Sequence, residues 1–454
     1  MTVPRFNLIC LAILTALTGC ATYTHNTGAF RNSLAYGNYG DALQSLSSAR
    51  KGPNRLLFLL ENGLVAHTRG HYRRSNAYFE QAERLADRLF TRSLTREVAA
   101  LITNDAVRSY RGEEFELVFI HYYRALNYWY LGLPEDALVE CRKANLKLAH
   151  YAAAAEFDAI YRNDAFIHYM TGLFYEATGE LNDAYISYQD AEKAYRTYAE
   201  TFGLQPPPAL RNDLRRVAGA LDYVDGVQVR LASAGRPHLR SDGELVLFSE
   251  IGFVPRKVQE ELSLPLFEDD IKKARKQGVK TLSKRIARAY HTPYNRHQKI
   301  EYWLRVALPA YQEIPPRTRG IRLSASGRTG RAVPAQDLAA IARITFQDKQ
   351  PVILARTVAR SLAKYLATEK IKKKNKVLGF LANLFTFFTE AADTRSWVSL
   401  PHAVHIGRLR LPPGVHDLTV QTLDVRGNVI EQKVFPEVRI RPGARTFLNH
   451  RTYR

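Results

Sequence analysis

The chain has 454 residues, more than one hydrophobic core supports, which excludes a one-domain protein and predicts two or three domains. Its hydrophobic content of 46% is ordinary for a folded globular protein. Lys and Arg number 65 against 44 Asp and Glu, and the resulting net charge of +21 favours anionic partners. A solvated basic surface without such a partner is the alternative interpretation of the charge.

The first twenty residues predict a secretory signal that ends in a lipid anchor. One arginine precedes an apolar run over 6–17, which is shorter than the ~20 residues of a membrane span and typical of a signal peptide. The run ends in LTGC, which resembles the bacterial lipobox, where small residues admit the peptidase and the cysteine thiol receives diacylglycerol. We therefore expect a signal peptide over 1–19, lipid on Cys20 and a lipidated tether over 20–29.

The residue after this cysteine is Ala21, not the Asp that in many enteric bacteria retains a lipoprotein at the inner membrane. We therefore expect an outer-membrane lipoprotein of a Gram-negative bacterium that faces the periplasm. An ordinary signal peptide with an incidental cysteine is the alternative. With Cys20 lipidated, Cys141 has no partner for an intramolecular disulfide. The helical pattern around Cys141 favours a buried small residue over a catalytic thiol.

Residues 30–231 predict a helical domain that resembles tetratricopeptide (TPR) repeats. Small residues recur at TPR spacing around Gly70, Gly132 and Gly179, where a glycine ends the first helix of each pair and lets the two helices meet. The three glycines are farther apart than the roughly 34 residues of a regular TPR repeat. The pattern therefore predicts a TPR-like α-solenoid with inserted helical segments.

TPR domains bind partners in a groove lined by the first helix of each repeat, and the resemblance implies such a groove here. The Lys and Asn residues that clamp a terminal carboxylate in some TPR domains are missing. The aromatic run over 121–130 suits a peptide or sugar, although core packing also accounts for such residues. Alignment on the glycines assigns to the candidate partner groove His67, Tyr122, Leu126, Trp129, Tyr169, Leu173 and Glu176.

A mixed α/β domain is predicted over 244–454, after a loose stretch rich in Ala, Ser, Gly and Pro. A basic segment at about 268–299 is predicted to be a helical insertion, and two helices are predicted over 335–376, the second starting at Pro351. Strand-like runs rich in β-branched and aromatic residues occupy 244–251, 302–308, 320–325 and, as a closing antiparallel β meander, 404–440.

A run of lysines precedes an amphipathic, Phe-rich stretch over 377–388. Such a pair is typical of segments that dock on an anionic membrane surface. A core helix with a solvated, charged end is the alternative, and the stretch is too short to span a bilayer. The candidate membrane or anion contacts are Lys372, Lys373, Lys374, Lys376, Phe380 and Phe387.

Several short phrases are spread over nearly the full length of the chain. RGE at 111–113 leads into an aromatic run, GFVPRK stands at 252–257, VALP at 306–309 and RSW at 395–397. Together with the lipobox, they resemble an uncharacterised family of TPR-containing bacterial lipoproteins, to which 268–299 looks like an addition. The resemblance implies no established activity. Some members are encoded near an activator lipoprotein of penicillin-binding proteins, which implies a place in cell-wall synthesis.

No HExxH, paired CxxC, Walker A or GxSxG motif occurs in the sequence. We therefore predict a non-enzymatic scaffold, without catalytic residues, metal, cofactor or nucleic-acid partner, that holds an envelope protein in its groove. A direct peptidoglycan- or lipopolysaccharide-binding protein is the alternative, because a basic surface attracts their carboxylates and phosphates. A wall hydrolase, whose carboxylate pair would need no sequence signature, is the third hypothesis.

Overall fold

The structure is a computed structural model of the chain. The predicted signal peptide, Cys20, Lys376, Phe380 and Phe387 lie outside the residues that it describes. Of Lys372, Lys373 and Lys374, it describes only the helical backbone. The described residues are 23, 25–94, 108–154, 160–221, 223–224, 227–228, 242–268, 272, 300–374 and 391–454.

The N-terminal half is helical, as its apolar periodicity predicts. Helix α1 covers residues 25–35, so the predicted tether over 20–29 is helical in its described part from residue 25. Phe30 and Leu34 of α1 are buried, which ties this helix to the body of the protein. The helices that follow are α2 Tyr39–Ser45, α3 Arg55–Thr68, α4 Tyr72–Leu94, α5 Glu114–Tyr130, α6 Pro134–Ala154, α7 Ala165–Thr178, α8 Leu181–Thr201 and α9 Pro208–Ala220.

Helices α3 to α8 form three hairpins that pack in chain order. Each turn contains a glycine with a positive φ, 74° at Gly70, 73° at Gly132 and 89° at Gly179. This left-handed conformation is the one in which glycine ends a helix without strain. The predicted turns are therefore confirmed. In α5 and α7, the first helices of the second and third hairpins, nearly every side chain before the last turn is buried.

A glycine also sets how closely the helices of a hairpin meet. A Cβ added to Gly172 of α7 would lie 2.4 Å from ring atoms of Tyr188 in α8, and one added to Gly63 of α3 would lie 2.6 Å from Phe79 in α4. Both distances are far below van der Waals contact. The aromatic rings therefore pack directly on the backbone of the facing helix.

We expect Gly172→Ala to lower the free energy of unfolding by about 1–3 kcal/mol, because the added methyl group overpacks the contact with Tyr188. Gly219→Ala in α9 is the control, since nothing lies within 4 Å of a Cβ there. That change should stabilise the helix by up to about 1 kcal/mol. Thermal unfolding compares the two variants, and a Gly172→Ala protein as stable as the control would contradict this packing.

The C-terminal half is a mostly antiparallel, nearly closed sheet. Seven strands lie in the order β10-β9-β6-β7-β8-β3-β11, and only β11 and β3 run parallel. A separate two-stranded ribbon consists of β4 and β5. The strands are β1 Tyr223–Val224, β2 Val227–Gln228, β3 Gly243–Ile251, β4 Arg256–Phe267, β5 Ile300–Gln312, β6 Gly320–Ala325, β7 Arg328–Asp337, β8 Ala403–Leu411, β9 Gly414–Leu423, β10 Val429–Ile440 and β11 Arg445–Thr452.

Helix α10, Leu338–Lys374, leaves the sheet and runs along the ribbon. The prediction of two helices here is wrong, because Pro351 lies inside one continuous helix. Strands β1, β2, β4, β7 and β11 were not predicted. We call β4, β5 and α10 together the arm. Its own core is a cluster of leucines and valines from all three elements, Leu264, Leu266, Leu304, Val306, Leu354, Val358 and Leu362.

The sheet buries both of its faces at strand β3, which explains its continuous apolar run. Leu245 and Leu247 belong to the core inside the sheet, whereas Val246 and Phe248 belong to the core shared with the helices. This shared core extends from Tyr23 to the C-terminal strand. The predicted domains, 30–231 and 244–454, are thus packed together. Among the described residues, no helix combines the length and apolarity that crossing a bilayer requires.

Candidate functional site

The residues predicted to line a partner groove lie instead against the C-terminal sheet. Tyr122 donates a hydrogen bond to Glu250 of β3 at 3.1 Å, and the ring centroid of Trp129 is 4.9 Å from that of Phe447 in β11. The buried members of the set are His67, Tyr122, Leu126, Tyr169 and Leu173. The predicted use of this face is therefore corrected, because its occupant is the chain's own sheet rather than a separate protein.

At the other end of this face, an ion-pair network joins the helices to the sheet. Tyr169 donates to Asp213 of α9 at 2.9 Å, and Arg408 of β8 donates to the same carboxylate at 3.0 Å. Glu176 pairs with Arg445 of β11 at 2.8 Å. Burial alone would raise the pKa of Asp213, but Arg408 and Arg445 hold that pKa below its ordinary value. The network joins α7 and α9 to two strands.

A third connection is the extended segment over 391–401, which we call the strap. In sequence it directly precedes strand β8, and the carbonyl oxygen of its Leu400 accepts from the amide of Val254 at 2.8 Å. Trp397 of the strap is fully buried, and its ring centroid is 5.7 Å from that of Phe79 and 6.0 Å from that of Tyr123. Its backbone amide donates to Glu116 of α5 at 2.8 Å. The amide of Val398 donates to Glu61 of α3 at 3.0 Å.

Three of the short phrases named above meet at the strap. Arg395 of RSW donates to the carbonyl oxygen of Arg108 at 2.9 Å, close to the RGE phrase. Glu113 of that phrase forms an ion pair with Lys257 of GFVPRK, and with Lys349 of α10 at 3.2 Å. These three phrases therefore hold the strap and the arm on the N-terminal end of α5.

Two carboxyl groups under the strap have displaced pKa values. Burial raises the pKa of Glu61 to about 8, although hydrogen bonds from Ser399 and Val398 act in the opposite direction. Burial also raises the pKa of Glu116 to about 7. Sequence reasoning missed both residues. The available signal was a carboxylate inside an apolar helical run, which is rare unless the group is bonded.

We expect Glu61 to make the fold less stable as the pH rises above neutral. The folded pKa of Glu61 exceeds that of an unfolded glutamate, so below pH 8 the folded chain holds a proton that the unfolded chain has released. The stability that this proton provides is lost as the pH rises through 8. The free energy of unfolding should fall by about 1 kcal/mol between pH 7 and pH 9. Glu61→Gln keeps an acceptor for the amide of Val398 but cannot titrate, and should remove most of the fall, the remainder coming from Glu116.

Urea unfolding at the two pH values measures this effect. Glu260→Gln, at an exposed position of β4, is the matched control and should keep the full pH dependence. An equal decline in both variants would show that Glu61 does not titrate in this range.

On the outer side of the helices, a cleft of about 430 Å³ lies between α4 and α6. One wall holds Phe90, whose ring centroid is 5.2 Å from that of His150. Leu146 stands at the rim with 71% of its surface exposed. Lys147 forms ion pairs with Asp87 and, at 3.8 Å, with Glu83. The cleft thus offers apolar surface between charged groups.

Beneath the cleft, three possible metal ligands lie within 4.8 Å of one another, Glu83, His121 and Glu140. Nδ1 of His121 is 2.8 Å from Glu140. Arg124, however, donates to Glu83 at 2.6 Å and lies 3.1 Å from Glu140, and Lys143 adds another positive charge at 3.1 Å from Glu140. Because these cations already neutralise both carboxylates, the group fits an ion-pair cluster better than a metal centre.

A second cavity, of about 420 Å³, lies between the end of α1 and the turn from β9 to β10, with side chains of both charges in its wall.

Comparisons of the chain with models of protein families, with curated proteins and with solved structures find no match. The resemblance to TPR lipoproteins therefore stays a prediction, and the contacts of the chain's own residues carry the functional conclusions.

Proposed function

We propose that the protein is a non-enzymatic scaffold of the cell envelope. In this proposal lipid on Cys20 anchors it in the outer membrane, and its helices form a TPR-like solenoid in the periplasm. Three hairpins with turn glycines, packed in chain order, support the solenoid. The buried carboxylates of Glu61, Glu116 and Glu250 accept hydrogen bonds that join helices to the sheet half, and this use supports a structural role for them.

The partner of this scaffold binds the outer cleft between α4 and α6. The observation that carries this step is that the chain's own sheet covers the inner face of the helices, whereas Leu146 is 71% exposed beside the aromatic wall of the cleft. An apolar side chain of a partner protein fills such a cleft, and the flanking lysines and carboxylates orient polar groups around it.

Site-specific photocrosslinking in cells tests the proposal. A crosslinking amino acid at position 146 should capture an envelope protein, and the same amino acid at position 186 should not. Ile186 is the matched control because it is 54% exposed on α8, outside the cleft. With the crosslinking amino acid moved to Thr91, which also lines the cleft, Leu146→Glu should abolish recovery of that protein without lowering the melting temperature. Equal capture at both positions would overturn the cleft as the docking site.

A second candidate function, direct binding of peptidoglycan or lipopolysaccharide, has one observation in its favour. Phe267 pairs with Ile300, so the segment 268–299 leaves and rejoins the arm at the same end. Helix α10 runs toward this end, since the ring centroid of Phe346 lies 5.3 Å from that of Tyr311 at the other end of β5 and the later Leu362 belongs to the same core as Leu264. Residues 268–299 hold ten Lys and Arg against three acids, and 370–376 hold five Lys. The two segments therefore contribute +12 of the net charge of +21.

Cosedimentation with purified sacculi and with lipopolysaccharide micelles tests this candidate. Changing Lys370, Lys372, Lys373 and Lys374 to Gln should weaken binding and its salt dependence. Changing the exposed Arg410, Arg426, Arg439 and Arg441 to Gln, which removes the same charge from the sheet, should have little effect. Equal losses in the two variants would mean that only net charge matters, and would reject the end of the arm as a binding surface.

A further inference from the structure

The body of the protein begins only three residues after the proposed lipidation site. Tyr23 is 1% exposed, and its hydroxyl lies 3.3 Å from Glu61 and 3.1 Å from the carbonyl oxygen of Ser396. Because a residue spans at most about 3.6 Å, the Cα atoms of Cys20 and Tyr23 are at most about 11 Å apart. A lipid on Cys20 therefore allows the body of the protein almost no movement away from the membrane.

This distance is comparable to the thickness of a headgroup layer. The polar regions add roughly 5–8 Å to each side of the hydrocarbon core, and the diacylglycerol enters the membrane at their inner boundary. The surface around Tyr23 must then touch, or nearly touch, the phospholipid headgroups. A long flexible tether would leave the orientation of the body free, whereas three residues do not.

The surface next to Tyr23 is basic. Inside the body, Ser396 contacts Tyr23, and the guanidinium of the neighbouring Arg395 donates to Asn54 at 3.2 Å. Nearer the surface, Asn26, three residues after Tyr23, donates to the carbonyl oxygen of Ser45 at 3.0 Å. Asn54 lies within a short segment over 50–55 that carries the exposed side chains of Arg50, Lys51 and Arg55. We call 50–55 the basic segment. From residue 25 to residue 60 the sequence has a single acid, Asp41.

We propose that the basic segment rests on the phosphates of the phospholipid leaflet that holds the lipid anchor, and thereby fixes one orientation of the protein on the membrane. Cationic side chains at such a surface are attracted by anionic headgroups within a Debye length. Guanidinium groups also donate paired hydrogen bonds to phosphate. The proposal rests on the lipid anchor proposed above and adds the face that the anchor presses to the membrane.

Depth-dependent fluorescence quenching tests this orientation. The lipidated full chain is placed in vesicles of phosphatidylethanolamine and phosphatidylglycerol that contain a lipid with a nitroxide headgroup. A fluorophore is attached at Ser48→Cys, an exposed position next to the basic segment, or at Val425→Cys, which is 82% exposed. Asp424 lines the same cavity as Ala35, so Val425 lies near the far end of α1. Burial raises the pKa of the Cys141 thiol to about 12, which keeps it unlabelled.

The proposal predicts strong quenching of the Ser48 label and little of the Val425 label. Changing Arg50, Lys51 and Arg55 to Glu should lower the Ser48 signal to the level of Val425 while the protein still floats with the vesicles. The control changes the exposed Arg410, Arg426 and Arg441 to Glu and should leave the quenching of the Ser48 label unchanged. A vesicle-bound wild type with an unquenched Ser48 label would overturn the orientation alone. Wild type that does not float would overturn the anchor and the orientation together.

Discussion

Replacing Trp397 with alanine should lower the free energy of unfolding by about 3–5 kcal/mol, because it empties the largest fully buried side-chain site. The indole packs against Phe79 and Tyr123, and its nitrogen donates to Ser399 at 3.0 Å. The cavity would lie between α3, α4, α5 and the strap, where the halves of the protein meet. Its effect should therefore extend to both halves rather than stay local.

Urea unfolding followed by circular dichroism measures this loss. Trp303→Ala is the matched control, because Trp303 is 55% exposed on the ribbon and the same atoms are removed there. We expect the control to change stability by less than about 1 kcal/mol. Equal effects of the two substitutions would mean that the strap does not hold the helices and the sheet together.

Replacing Arg408 with leucine should also cost about 3–5 kcal/mol, because it leaves buried carboxylates short of a partner. Arg408 donates to Asp213 at 3.0 Å and to Glu244 at 2.9 Å. Asp213 is fully buried, so water cannot replace the lost guanidinium. Arg410→Leu, two residues further along β8 at an exposed position, is the control and should change stability by about 0.5 kcal/mol or less.

The pH dependence separates the lost charge pair from lost packing. Burial acts to raise the pKa values of Asp213 and Glu244, and Arg408 is the largest influence that lowers them. Without it both pKa values rise, so the variant takes up protons that the wild type does not. The deficit of Arg408→Leu relative to wild type should therefore shrink as the pH falls from 7 to about 4. A deficit that stays constant over this range would point to packing.

The burial of the predicted groove residues changes how mutations there are to be interpreted. Tyr122→Ala or Trp129→Ala would weaken the contact between helices and sheet, so loss of a partner in such variants reports on folding first. Leu146 and Ile186 are free of this problem because they are exposed on the outer side. Partner binding is therefore tested there.

Local patterns in the sequence determined the helical hairpins and several strands. Gly70, Gly132 and Gly179 end their helices because a positive φ is tolerated best by glycine, a property of the residue itself. Strand β3 could also be predicted from its apolar run, since a strand buried on both faces needs no polar alternation. The same local reasoning failed at Pro351, where the contacts of α10 with the ribbon outweigh the helix-breaking tendency of proline.

Only the tertiary structure decided what covers the inner face of the helices. The amide of Trp397 reaches Glu116 across 281 positions of sequence, and Val398 reaches Glu61 across 337. Periodicity and turn chemistry describe neighbours along the chain and carry no information about such pairs. A row of aromatic side chains on a helix therefore predicts a surface that must be buried, and the partner that buries it proved to be another part of the same chain.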